Sequence, residues 1–233
     1  MNDFQKTGGV AALILAATFV VGLGLFFALL EPKGFGTGDV DPGQFVAFLV
    51  ENQAIMYIWN LIIYVVFGFF LVVLALALYE RLKAGSPAMA QTATAFGLIW
   101  ATLAIGSGML INSDLGTVVD LYGKDPAQAA SVWLVLDSVE TGLFSSYEIP
   151  GGLWVLLVSW AALRAGGLPR ALNYLGVVIG VAGLLTVVPA LEVVAFVFGL
   201  GLLVWWVWLG IVMLRGSPSA AAEKPDAFVP ATE

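Results

Sequence analysis

Asp137, Glu140, Tyr147 and Glu148 have the strongest claim to chemistry in this chain. On a helix turning about 100° per residue, with Asp137 at zero, Glu148 falls near 20°, Glu140 near −60° and Tyr147 near −80°. All four share one face. Carboxylates on one face can hold a cation or orient a polar ligand. Paired carboxylates can also do acid–base work, but Asp137 and Glu140 lie one turn apart on a helix expected to be exposed, which weakens that reading. Pro150 follows Glu148 closely. It removes one helical hydrogen bond and displaces the carbonyl of Ser146, and Gly151 and Gly152 ease a bend. A freed carbonyl, a bent helix and a carboxylate at one depth are what a membrane cation or polar-ligand site uses. The alternative is a simple proline kink with Glu148 reaching to the interface. Asn60, Asn112, Asp114 and Glu192 are expected at similar depth, so the eight residues define a candidate outer vestibule.

The chain has no Cys and no His. That excludes disulfides, thiol chemistry, zinc held by imidazole or thiolate, and His-ligated haem. Proteases that need His are excluded too, and no Gly-x-Gly-Asp pattern is present. No lysine lies in an apolar stretch, so a retinal Schiff base has no anchor. Neither an enzyme nor a cofactor is expected. Carboxylate and amide oxygens suit only hard metals such as Ca²⁺ or Mg²⁺. Asp39-Val-Asp41-Pro-Gly43 has the outline of a calcium loop, but it lacks a third ligand and its glycine comes one place early. No metal site is assigned.

A second group is aromatic. Trp205, Trp206 and Trp208 lie two turns or more from Arg215, and Trp100 is expected at comparable depth. Membrane tryptophans favour the interfaces. Trp100, Trp205 and Trp208 therefore either line an apolar pocket for a lipid or quinone-like molecule or serve as packing bulk.

The elements that must position these residues are apolar helices. The chain is 61% hydrophobic and 11% charged, against about 45–50% and 25% for soluble domains. Stretches of about 20 apolar residues cross a bilayer, and six candidates occur: 10–30, 53–79, 90–112, 142–163, 171–189 and 193–214. Val10–Leu30 is too long for a signal-peptide core and is read as a retained first helix. Nine Lys and Arg are present. With alternating crossings, Lys6, Arg81, Lys83, Arg164, Arg170, Arg215 and Lys224 share one side, leaving only Lys33 and Lys124 on the other. Basic loops stay in the cytoplasm. The expected fold is therefore all-α: a polytopic bundle of six transmembrane helices in the cell membrane, with both termini cytoplasmic. Residues 1–215 form one membrane domain. Residues 216–233, rich in Ala, Ser and Pro, are expected to be a disordered tail.

The acidic residues show the opposite bias and gather on the outer side. Such a face concentrates cations, or simply solvates the protein. It speaks against nucleic acid as a partner. Two outer connectors carry helix starts in which proline follows a capping aspartate, Asp41-Pro42 and Asp125-Pro126. The first predicts a short interfacial helix with Phe45, Phe48 and Leu49 at helical spacing. The second predicts a helix running from 126 to 163. That is about 57 Å at 1.5 Å per residue, so its first part projects outside. Both inner turns carry Leu-(Lys/Arg)-Ala-Gly followed by proline. An internal repeat would give this, but so would convergence on a good helix stop, the reading favoured here. Ala93, Gly97 and Ala101, and likewise Gly176 and Gly180, form small-residue faces for close helix packing, within the chain or in self-association.

Leu-Arg-Ala-Gly-Gly-Leu-Pro-Arg-Ala-Leu-Asn-Tyr-Leu-Gly at 163–176, Leu78-Tyr79-Glu80 before the third span and Leu136-Asp137 before the fourth carry a resemblance. The chain resembles a bacterial six-helix integral membrane family catalogued only as a domain of unknown function. The likeness covers most of the chain. It implies the fold and no activity, cofactor or catalytic residue. The function expected is that of a non-catalytic membrane protein, either an accessory subunit of other membrane proteins or a binder of lipid or a small hydrophobic ligand. The alternative is a small-molecule or lipid transporter with an outer-facing polar vestibule. Mid-depth charges, which ion carriers use, are nearly lacking.

Overall fold

The computed structural model describes residues 3–35, 40–191 and 193–215, the side chains of residues 143–147 and 189 excepted. The expected tail, Glu192, Asp39 and the Tyr147 side chain lie outside the described residues. Among the described residues the chain is all-helical. The helices are α1 (Asp3–Leu25), α2 (Pro42–Glu51), α3 (Gln53–Asn60), α4 (Phe67–Leu82), α5 (Pro87–Tyr122), α6 (Pro126–Ala165), α7 (Arg170–Leu185) and α8 (Val194–Arg215). A π-helical turn, Phe26–Leu30, extends α1, and another, Leu61–Val66, joins α3 to α4 without a break. Four helical segments are long and apolar enough to cross a membrane: Asp3–Lys33, Gln53–Leu82, Pro87–Tyr122 and Val194–Arg215. α7 is apolar but shorter.

Local chemistry fixes the helix starts. The Asp41 carboxylate accepts from the Gln44 amide at 2.8 Å. The Asp125 carboxylate accepts from Ala127 and Gln128 at 3.0 and 3.1 Å. In each case proline follows at the first position, where its missing N–H costs nothing. α6 ends at Gly166, whose φ of 72° is the left-handed conformation that glycine adopts without penalty. Gly85, at the matching place in the other inner turn, is not among the positive-φ glycines. The two turns share sequence but not geometry, which fits convergence rather than an internal repeat.

The third apolar stretch departs from expectation. The helix does not end near Asn112 but runs on through Gly116 to Tyr122. No proline interrupts it, and Asn112 is buried and bonded to α3 rather than capping an end. α6 runs unbroken through Pro150 over its full 40 residues. Its length, about 60 Å, is twice the hydrocarbon thickness of about 30 Å.

The six long helices form a closed ring. Each packs on the next in sequence, α1 on α4, α4 on α5, and so on, and α8 closes back on α1. The ring is filled, not hollow. Phe67, Trp100, Trp154, Phe198, Trp205 and Trp206 make one cluster, with Trp100 and Trp206 stacked at 6.2 Å and Trp154 and Trp205 edge-on at 5.8 Å. Small residues let the backbones approach, as lipid-embedded helices require. A β-carbon at Gly152 of α6 would stand 2.9 Å from the Gly180 carbonyl oxygen of α7. One at Gly97 would stand 2.7 Å from the Trp154 ring. Both predicted small-residue faces are thus occupied within the chain.

One end of the ring is tied by Arg81. Its Nε donates to the Gly167 carbonyl at 2.8 Å and its Nη1 to Gln5 Oε1 at 3.1 Å. Gln5 Nε2 in turn donates to the Ala77 carbonyl at 3.0 Å. The start of α1, the end of α4 and the turn after α6 therefore meet at one end. At the other end α2 lies over α5 and α6 and builds a second core from Leu30, Phe45, Phe48, Met56, Leu115 and Trp133, among others.

Candidate functional site

That second core is not fully packed. It encloses a partly open cavity of about 120 Å³ between the end of α1, α2, α3 with its π-turn, α5 and α6. The cavity lies where α2, capped at its start by Asp41, packs over the parts of α5 and α6 that extend beyond the aromatic plug. Phe45 anchors the apolar wall. It stacks on Phe35 at 5.2 Å and packs against Trp133 at 4.9 Å. Met56, Leu115 and Val118 continue that wall.

The polar wall comes from three elements. α5 supplies Asp114, α6 supplies Asp137 and Glu140, and the α3 π-segment supplies Asn60 and Tyr64. Asn60 is oriented from behind: its Nδ2 donates to Asn112 Oδ1 at 3.1 Å, and Asn112 Nδ2 donates to the Tyr57 carbonyl at 3.3 Å. Both amides are buried. The π-turn beginning at Leu61 shifts the register of the helix, a feature frequent at functional sites.

Asp137 and Glu140 sit beyond 142–163, the stretch read as crossing the membrane. Burial, then the charges of Asp114 and Asp137, then a hydrogen bond with Asp114 push the Glu140 carboxyl up to about 8. At neutral pH it holds its proton and donates it to Asp114. Burial alone raises Asp137. Among the described residues no three Asp or Glu side chains converge closely enough to hold a metal ion. The arrangement can bind an apolar body and present negative charge or a shared proton to it.

The structure brings Asn60, Asp114, Asp137 and Glu140 to one cavity, with Asn112 directly behind. Glu148 is half-buried and does not line the cavity. It lies eight residues, about 12 Å, further along α6. Among the tryptophans, Trp100 and Trp205 are buried in the close-packed plug, whereas Trp208 is 36% exposed on the outside of the ring. The three do not surround a common space: Trp100 meets Trp154, Phe67, Phe198 and Trp206.

Phe35, Phe45, Trp59, Tyr64 and Trp133 line the cavity without having been singled out as site residues. The helical spacing of Phe45, Phe48 and Leu49 was the available signal, and it pointed to a membrane surface rather than to a lid. No curated protein and no solved structure matches the chain. Residues 7–213 match the family described as Domain of unknown function (DUF4386), and the chain belongs to that family.

Proposed function

We propose that the chain crosses the cell membrane six times, with both termini cytoplasmic, and binds a small, largely apolar ligand in the cavity under α2 without catalysing its conversion. The cavity carries this reading. Ligand sites are concave and mostly apolar, with a few placed polar groups, and here aromatic walls face Asn60, Asp114, Asp137 and Glu140. The close-packed aromatic plug below it favours a binder over a transporter, since a carrier must open a path through the bundle centre. Two observations support the topology. The basic residues divide seven to two between the sides. Gln5, Arg81 and Gly167, all assigned to the inner side, meet at one end of the ring.

Two experiments test the reading. The chain has no cysteine, so single cysteines can be introduced cleanly. Gln128→Cys should react with an impermeant thiol reagent added outside intact cells, and Ala84→Cys only after lysis. The reverse pattern would overturn the orientation. For binding, the protein is purified in native nanodiscs and its small-molecule content analysed by mass spectrometry. A retained compound displaced by Phe45→Trp, which fills the apolar wall, supports the binder. A stoichiometric protein partner with an empty cavity would instead favour an accessory subunit.

A further inference from the structure

The walls of the cavity divide by chemistry. Phe35, Phe45 and Trp133 offer aromatic surface, while Asp114, Asp137 and Glu140 offer carboxyls from two different helices. Among the described residues no Lys or Arg lines the space. Lys33 lies over the Phe48 ring at 5.6 Å. Trp59 is also a wall residue. A cavity of about 150 Å³ holds benzene, and this one, at about 120 Å³, is of similar size.

We propose that the occupant is a small organic cation, an ammonium group in a compact apolar body of about benzene size. This rests on the binding reading above and names its ligand class. Aromatic faces attract ammonium groups through the ring quadrupole, and the carboxyls supply the countercharge. Among the described residues a metal ion lacks the convergent ligands it would need, and an anion would face three carboxyls with no basic partner among the described lining residues. The ammonium could belong to a free solute or to a lipid headgroup. The phosphate of a headgroup sits unfavourably beside the carboxyls, and the experiment separates the two sources.

The full chain in dodecyl-maltoside micelles, which carry neither charge nor ammonium, is titrated with three compact probes of about benzene size. They are tetramethylammonium, tert-butanol and pivalate. Saturable binding is read by ligand-observed NMR against empty micelles. The cation should bind about ten-fold tighter than the alcohol, and the anion weakest. At pH 9, where Glu140 is ionised, Glu140→Gln and Asp137→Asn should each remove most of the cation's advantage while leaving the alcohol's affinity within about two-fold. If one variant fails to fold, the other carries the test. Equal binding of cation and alcohol overturns the cation assignment but leaves the cavity a binding site. A cation preference that survives in both folded variants reports diffuse attraction to the acidic face and also overturns it. Absence of saturable binding by every probe overturns both the inference and the binding reading. Competition by short-chain phosphatidylethanolamine, but not by phosphatidylglycerol, identifies a headgroup as the source. Competition by neither identifies a free solute. Either result supports an ammonium ligand.

Discussion

The Glu140 side chain holds a proton that an exposed carboxyl would have lost. Its raised value, about 8, has a consequence for stability. Between the usual carboxylate range and pH 8 the folded protein binds more protons than the unfolded chain, so stability falls as pH rises through that window and levels off above it. Glu140→Gln should flatten this dependence and leave the protein about 1–2 kcal/mol more stable than the parent above pH 8, allowing for solvent screening. Thermal melts of both proteins from pH 5 to 9 check this. Binding should run the other way. A permanently charged ammonium probe favours ionised Glu140, so its affinity should climb as pH is raised toward 9, and proton release should accompany binding at pH 7. Asp114, Asp137 and Tyr64 are the other titratable groups on the cavity wall, and burial shifts Asp137 in the same direction. The polar half of this site was legible in the sequence, because Asn60, Asp114, Asp137 and Glu140 are conspicuous in apolar surroundings. The aromatic half was not. Phe45 and Trp133 are separated by more than eighty residues and meet only because α2 folds over α5 and α6. Nothing local in either segment encodes that encounter.

Helix starts were the most legible elements. Asp41-Pro42 and Asp125-Pro126 place a side-chain acceptor and a residue without an N–H where a helix needs both, and both helices begin there. Helix length was less legible. Polar residues at 112–114 look like the end of an apolar span, but a helix needs a breaker to stop, and Asn112 is satisfied sideways by Asn60. The π-turn at Leu61–Val66 left no trace, since it contains no Gly or Pro and its register shift is set by packing. The small-residue faces were legible as faces, though not as to partner. The α6–α7 crossing gives a sharp test. Gly152→Val should destabilise the protein by about 1–3 kcal/mol, the usual cost of overpacking, because the added carbons meet the Gly180 and Gly183 backbone. Gly106→Ala, which meets nothing within 4 Å, should be neutral or slightly stabilising, as alanine is the better helix former. Melting temperatures of the two variants in one detergent decide between specific backbone contact and a general intolerance of change.

At the scale of the whole molecule the tie at Arg81 does what no single helix pair can: it holds three chain segments at one end of the ring. Arg81→Met keeps the stem and removes the donors. It should cost about 1.5–3 kcal/mol, the range for hydrogen bonds from a charged group, and should raise protease sensitivity of the α6–α7 turn before that of the α5–α6 turn. Limited proteolysis of both turns in detergent micelles, where both are accessible, measures this. The closed ring has a different kind of consequence. α1 and α8 meet along a seam where a β-carbon at Gly9 would lie 3.1 Å from the Gly210 carbonyl oxygen, and one at Gly210 would lie 3.0 Å from that of Gly9. α1 leaves the ribosome first and α8 last. During synthesis α1 therefore waits with its seam face unmatched until every other ring helix has been made. Assembly of this protein cannot be purely sequential. Its final step joins the oldest helix to the newest, and a nascent chain arrested before α8 should leave the Gly9 face open to capture by an insertion chaperone.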